Sequence, residues 1–188
     1  MTTLKSHKPT IGITQLQDFD ISNYEDILVK CGADIKIIDS EGISATDIFT
    51  EIDAILLPDS PYNYSEDGPG VQFEINLLKL ALNNKEMPIL AIGSGMHILN
   101  FAFGGSVSNI TIEADHYLDN DLINYHRIFI SPGSRLSMSL GSGGFVRVNS
   151  NHKICIKESD KSHKLMASAW GLDDGVVEAL ESPVHDWV

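Results

Sequence analysis

Cysteine is scarce in this sequence of 188 residues, occurring only as Cys31 and Cys155. The two lie far apart and form no C-x-x-C pair, so the sequence favours neither a metal knuckle nor a redox pair. Because free cysteines usually behave as small apolar residues, we expect both to be buried. The sequence also shows no N-terminal apolar segment and no run of about 18 apolar residues, so we expect neither a signal peptide nor a membrane helix. A reduced, cytoplasmic protein is therefore expected.

Positive charge is also sparse, with 13 basic against 26 acidic residues and a formal net charge of -13. Nucleic acids and anionic membrane surfaces require a basic face, so we expect neither as a partner. An acidic surface mostly serves solubility and identifies no positive partner. The hydrophobic fraction of 43% suits a globular protein, and the length predicts one domain over residues 1–188.

Hydrophobic periodicity predicts an α/β fold: a flavodoxin-like, mostly parallel sheet with helices on both faces and an antiparallel extension. Strands are predicted over 9–14, 33–39, 53–58 and 89–92, helices over 22–31 and 71–83, and a short helix or turn over 44–51. Ser22 and Glu25 have the spacing of a capping box, and Gly32 follows as a stop. Extended runs in the second half predict the antiparallel part, over 106–112, 126–130, 145–149, 154–157, 165–170 and 176–181.

The stretch from Pro88 to Gly105, PILAIGSGMHILNFAFGG, has the pattern of a buried strand, a tight turn and a helix. Ligands bind beside such turns in open α/β sheets. A nucleophile elbow has the form small-x-nucleophile-x-small. Ala91 and Gly95 are the small residues here, which places the nucleophile position at Gly93, a residue without a side chain.

Ser94 is the obvious substitute nucleophile, but its flanking positions would then be the bulky Ile92 and Met96, around which the turn could not close as tightly. A second alternative is a strand-to-helix turn without any chemistry. A pair of His152 and Cys155 is a third, although residues three apart in an extended segment point to opposite faces. Asp115 and His116 are neighbours without a second ligand pair, so no metal site is predicted.

Six stretches, in order along the chain, resemble the class I glutamine amidotransferase superfamily, in its branch of γ-glutamyl-γ-aminobutyrate hydrolase-like cysteine hydrolases. They are PTIGIT, AILLPDSP, PILAIGSGMHILNFAFGGSV, SPGSRLSMSLG, VNSNHKICI and DGVVEALE. The resemblance implies a cysteine thiolate on the elbow that attacks a γ-glutamyl amide. It also implies a histidine base, a glutamate that orients this base, and backbone N–H groups that stabilise the oxyanion.

The sequence departs from this family pattern at each catalytic position. The thiol position is Gly93, the paired glycines of the oxyanion loop are Asp59 and Ser60, and a glutamine-like helix position is His97. A carboxylate at position 59 would repel a developing oxyanion if it pointed inward. The final strand and the His-Pro-Glu motif, which carry the base and its acid, are missing from the sequence. The resemblance therefore implies a degenerate amidotransferase-like protein without glutaminase or γ-glutamyl hydrolase activity.

A pocket for a small γ-glutamyl or glutamine-like ligand is expected around the elbow, without a cofactor or a metal. Its predicted lining residues are Asp59, Ser60, Ser94, Gly95, His97, Asn149 and His152, of which Ser94 and His152 are weak catalytic candidates. His97 is expected at the helix surface or the pocket rim. An active hydrolase that uses Ser94 and a non-catalytic interaction protein remain alternatives. The sheet edge left by the missing strand predicts self-association, a rearranged terminus or marginal stability.

Overall fold

The structure is a computed structural model that describes residues 8–15, 19–39, 45–60, 68–83, 86–110 and 124–188. Its chain divides into two units: Met1–Leu99 together with His185–Val188, and Asn100–Val184. Each unit is described by itself below. The sequence-based expectation of one domain over 1–188 stays a prediction.

The first unit contains a parallel four-stranded sheet whose strand order is β2-β1-β3-β4. Its strands are β1 Thr10–Thr14, β2 Asp34–Ile38, β3 Ala54–Leu57 and β4 Ile89–Ala91. Its helices are α1 Ser22–Lys30, α2 Ala45–Ile48, α3 Pro69–Ala81 and α4 Ser94–Ala102, the last of which continues into the second unit. Ile13 and Leu56, on neighbouring strands, pack with Ile21 in its core. Because the strands are parallel, the carboxyl ends of β1, β3 and β4 meet at one edge, where α/β proteins build their sites.

The last residues of the chain lie beside β4, the outer strand of this sheet. The N–H of Ile89 donates to the carbonyl of Trp187 at 2.8 Å, and the ring of His185 contacts the carbonyl of Leu82 at 3.0 Å. Val188 is buried, whereas the Trp187 side chain is 66% exposed. Residues 185–188 thus supply a backbone contact on the outer edge of β4, and self-association remains a prediction.

The second unit is built mainly from antiparallel strands. Its larger sheet has the order β10-β9-β6-β7, and β5 and β8 form a two-stranded ladder. The elements are β5 Ser108–Asn109, β6 Asn124–Ile130, α5 Arg135–Leu140, β7 Gly144–Ser150, β8 Ile154–Cys155, β9 Met166–Gly171 and β10 Val177–Glu181. Ile128, Ile130 and Ala169 form the core of this unit. The predicted α/β class, with a parallel sheet in the first half and antiparallel strands in the second, is confirmed.

Asn100 is the polar centre of the second unit and is fully buried. Its amide nitrogen donates to the carbonyls of Ser106 at 2.7 Å and Asp160 at 3.1 Å, and its amide oxygen accepts the N–H of Ser162 at 2.8 Å. A Cβ atom on Gly105 would lie 2.5 Å from Asn100 Cγ, so this glycine leaves room for the amide. The side chain satisfies three backbone groups from two segments, which explains how a buried amide is tolerated there.

Two local predictions are wrong. Ser22 does not cap α1: Ile21 is the N-cap, its side chain makes no cap bond, and the Asp20 carboxylate accepts the N–H of Ser22 at 2.9 Å. Asp20 thus satisfies a free N–H of the helix start from outside the helix. Cys31 is exposed because it lies at the C-cap of α1, a helix without fully buried residues. Cys155 is buried as predicted, and burial raises the pKa of its thiol.

Candidate functional site

The turn between β4 and α4 has the tight geometry of a nucleophile elbow. Gly93 has a φ of +54°, in the left-handed region that favours glycine. The N–H of Met96 donates to the carbonyl of Gly93 at 3.0 Å. A Cβ atom on Gly95 would lie 2.6 Å from the carbonyl oxygen of Leu57, so α4 can approach β3 only with glycine there. The predicted strand, turn and helix over 88–105 are confirmed, with the helix beginning at Ser94.

The side chain of Asp59 fills the space above Gly93. A Cβ atom added to Gly93 would lie 2.5 Å from Asp59 Cγ and 2.8 Å from Asp59 Cβ, far closer than non-bonded carbon atoms approach. The Asp59 carboxylate also accepts the N–H of Ser94 at 2.9 Å. The space that a side chain at position 93 would need is therefore occupied by a carboxylate from the loop after β3.

The backbone N–H groups that would form an oxyanion hole are already in use. In a nucleophile elbow they come from the residue after the nucleophile and from a neighbouring loop. Here the first is the N–H of Ser94, bound to Asp59, and the loop offers the N–H of Ser60, which donates to Ser94 Oγ at 2.7 Å. The N–H of Asp59 in turn donates to the hydroxyl oxygen of Tyr24 at 3.1 Å. The chain thus satisfies these donors with its own oxygen atoms.

Electrostatics favour this arrangement. The Asp59 carboxylate lies at the N-terminus of α4, where the helix dipole and the free N–H groups attract negative charge. Such a contact contributes about 0.5–1 kcal/mol at a surface position. Asp59 is an exposed residue, whereas Ser60 and Ser94 are buried. The carboxylate is consequently stabilised by the helix and by water at once.

The structure brings together five of the predicted residues, Asp59, Ser60, Gly93, Ser94 and Gly95, in the first unit. His97 is buried, with 7% of its surface exposed, so its expected place at the helix surface is wrong, while a place at the rim of a pocket stays a prediction. Its ligand-binding role, like that of the whole predicted set, stays a prediction.

Asn149 and His152 belong to the second unit. Asn149 is exposed on β7, directly opposite Tyr125 on β6. The His152 ring contacts the carbonyl of Ile154 through Nδ1 at 2.9 Å, which fixes the ring locally. The pair Asp115 and His116 lies outside the described residues.

Glu74 is a buried acidic residue that the sequence analysis did not single out. It lies on α3 with only 3% of its surface exposed, close to Thr14, the last residue of β1. Burial raises the pKa of Glu74 to about 7, an effect that the Thr14 side chain partly offsets. Glu74 Oε2 has no hydrogen-bond partner among the described residues. The sequence pattern that could have indicated its burial is the helical spacing of Glu74 with the apolar residues Val71 and Leu78.

The described residues show neither a metal centre nor a membrane-spanning helix. In the described ranges, no group of three or more His, Cys, Asp or Glu side chains is arranged to hold a metal ion. None of the described helices has the length and hydropathy needed to cross a membrane.

Comparison with known proteins identifies the family. The sequence model of the Peptidase C26 family matches residues 37–188. The chain belongs to the Peptidase C26 family. No curated protein sequence matches it.

Solved structures similar to this Peptidase C26 member include glutamine amidotransferases. A glutamine amidotransferase from Thermotoga maritima matches with a TM-score of 0.69 and 14% identity, over 94% of this chain and 72% of its own. A glutamine amidotransferase from Methylobacillus flagellatus matches with a TM-score of 0.70 and 14% identity, over 95% of this chain and 67% of its own. A putative GMP synthase subunit from Thermoplasma acidophilum matches with a TM-score of 0.66 and 16% identity, over 95% of this chain and 80% of its own. At these identities the likeness establishes the fold, and the resemblance to class I glutamine amidotransferases is confirmed at that level.

Glu74 predicts a stability change with pH. Its carboxyl group is neutral in the folded state up to about pH 7 but ionises in the unfolded state near 4.5, so stability falls as pH rises through this window. The fall corresponds to about 3 kcal/mol. We expect Glu74→Gln to flatten this decline. The free energy of unfolding of the variant, relative to that of the native protein, should therefore be higher at about pH 8 than at about pH 5. Urea denaturation at both values measures this difference.

The control for this experiment is Asp26→Asn, which neutralises an exposed acid on α1. Glu178, whose pKa burial also raises to about 7, remains in both variants, so their difference isolates Glu74. Identical pH profiles for the two variants would contradict the assignment.

Proposed function

We propose that this Peptidase C26 member is a non-catalytic protein on a glutamine amidotransferase-like scaffold, without glutaminase or γ-glutamyl hydrolase activity. One observation carries the proposal: the Asp59 side chain occupies the space that a side chain on Gly93 would need, and it takes the N–H of Ser94. The turn has the geometry of an elbow. In place of a reactive side chain it holds the Asp59 carboxylate, which accepts the N–H of Ser94.

Amide hydrolysis at this elbow would face two obstacles. Loss of the nucleophile alone lowers the rate by several orders of magnitude in hydrolases of this type. In addition, the Asp59 carboxylate stands where negative charge would develop in the transition state, and oxyanion stabilisation requires free donors at that point. Like charges at such a short separation repel, although water around the exposed Asp59 weakens the repulsion. Both effects act against the reaction that the family resemblance implies.

Ser94 as a substitute nucleophile is the less supported alternative. Its Oγ atom accepts the N–H of Ser60, and only 6% of the residue is exposed. An activated serine needs a base within hydrogen-bond reach. Among the described residues, no histidine or carboxylate makes a hydrogen bond to this hydroxyl.

The proposal also includes the ligand that the protein binds and the compartment in which it is found. A small γ-glutamyl or glutamine-like ligand would bind near Asp59, Ser60, Ser94 and His97 without being turned over. We place the protein in the cytoplasm, in line with two cysteines that form no disulfide in the structure. Self-association is compatible with this function and is tested by the oligomeric state in solution.

Hydrolysis of γ-glutamyl-p-nitroanilide tests the proposal directly. We expect no release of p-nitroaniline above the buffer rate by the native protein, and no difference between it and Ser94→Ala, because neither has a free nucleophile. A γ-glutamyl hydrolase of known activity serves as the positive control. Turnover by the native protein that Ser94→Ala abolishes would establish the alternative.

A double-mutant cycle tests the complementarity of Asp59 and Gly93. We expect Gly93→Cys to lower the free energy of unfolding by about 3 kcal/mol in the native background, from backbone strain at positive φ and from overlap with Asp59. In the Asp59→Gly background the overlap is gone, and the cost should fall to about 1 kcal/mol. The coupling of about 2 kcal/mol is measured by denaturant unfolding of the four proteins.

Gly133 supplies the matched control for this cycle. It has a φ of +86°, and a Cβ atom added there meets nothing within 4 Å among the described residues. Gly133→Cys should therefore show backbone strain alone, with the same cost in both backgrounds. Equal costs of Gly93→Cys in the two backgrounds would refute the overlap.

A further inference from the structure

Two arginines of the second unit face each other across neighbouring strands. Arg127 on β6 lies directly opposite Arg147 on β7, and both are exposed. With Arg135 they are the three arginines of the sequence. Like charges at directly opposed positions of a sheet destabilise it. A chain with a net charge of -13 thus places two of its positive charges together at a cost.

Neither of these two guanidinium groups is neutralised within the described residues. There, no carboxylate forms an ion pair with Arg127 or Arg147; the Arg147 guanidinium lies 4.6 Å from the centre of the Tyr125 ring. Arg135 differs, since its guanidinium donates to the carbonyl of Ser182 at 2.6 Å. The Arg127 and Arg147 pair therefore has donors available for an anionic group, and guanidinium groups bind carboxylates in a two-pronged geometry.

Aromatic rings flank the pair on the same face of the sheet. Phe129 lies directly opposite Phe145, with ring centres 5.3 Å apart. Phe145 is 74% exposed and Tyr125 is 49% exposed, which is unusual for large apolar rings that could pack inward. We name this surface the arginine–aromatic face; it consists of Tyr125, Arg127, Phe129, Phe145, Arg147 and Asn149.

The same face ends at the outer edge of β7. Among the described residues, no strand pairs with this edge. In the order β10-β9-β6-β7, β7 is the outer strand of its sheet, and it is seven residues long. Natural edge strands are usually blunted by proline or by outward lysines, and the sequence of β7 has neither. Its one charged residue, Arg147, stacks on Tyr125. An extended segment could therefore pair with the backbone of β7 and reach both arginines.

We propose that the arginine–aromatic face binds an extended acidic segment of a partner protein, which adds a strand to β7. Its carboxylates contact Arg127 and Arg147, and an apolar side chain two residues from a carboxylate, on the same face of the added strand, covers Phe145. The net charge of -13 opposes both anionic partners, but it opposes a nucleic acid more than a short acidic segment, because the charge of a nucleic acid is dense and continuous. A two-fold contact between copies of this chain would bring the same arginines together and increase their repulsion.

Selection from a random peptide library displayed on phage tests the proposal. We expect the native protein to enrich sequences in which acidic and apolar residues lie two positions apart, on one face of a strand, and synthetic peptides from this set to bind the double variant Arg127→Gln/Arg147→Gln at least about tenfold more weakly. Phe145→Thr, which keeps the charges, should also weaken binding. The control is Lys30→Gln/Lys79→Gln, which changes net charge equally through exposed residues of the first unit and should bind normally.

Thermal unfolding separates a binding role from a structural one. Because the arginines repel, their replacement by glutamine should leave the melting temperature unchanged or raise it while binding is lost. A large drop in melting temperature would assign the pair a structural role and overturn the proposal. Enrichment without acidic residues, tighter binding of oligothymidine that the arginine variant abolishes, or self-association that the same variant abolishes would each overturn it as well.

Discussion

The contact between the Asp59 carboxylate and the turn at Gly93 is the interaction on which the interpretation of this protein depends. A side chain at position 93 and the Asp59 side chain cannot occupy the same volume. The carboxylate takes the N–H of Ser94, and the Ser94 hydroxyl takes the N–H of Ser60. One loop and one helix start thereby satisfy each other's polar groups.

The fold does not depend on a side chain at position 93. The elbow is fixed by Gly95 against β3 and by the parallel sheet beneath it, and the second unit is organised around the amide of Asn100. These constraints are steric and hydrogen-bonded, so they are independent of a thiolate at position 93. This independence explains how a Peptidase C26 member with glycine at position 93 has a fold similar to that of solved glutamine amidotransferases.

The sequence predicted those features that depend on local pattern. The strand, turn and helix around Gly93 follow from apolar periodicity and small residues, and all three were found. What could not be predicted depends on contacts between distant segments: Asp59 directed onto Gly93, His97 turned inward, and Cys31 left at an exposed helix end. Glu74 was visible in the pattern as an acid among apolar residues, but its burial depends on how α3 packs.

Amide hydrogen exchange at Ser94 tests the central contact most directly. As a first-turn residue of α4, its N–H has no acceptor in the helix and is protected only by the Asp59 carboxylate among the described residues. The account predicts that Asp59→Ala makes this amide exchange rapidly, while the amides of Gly95 and Met96, bonded to the carbonyls of Ile92 and Gly93, stay protected. A Ser94 amide that exchanges equally fast in the native protein and in Asp59→Ala would contradict it.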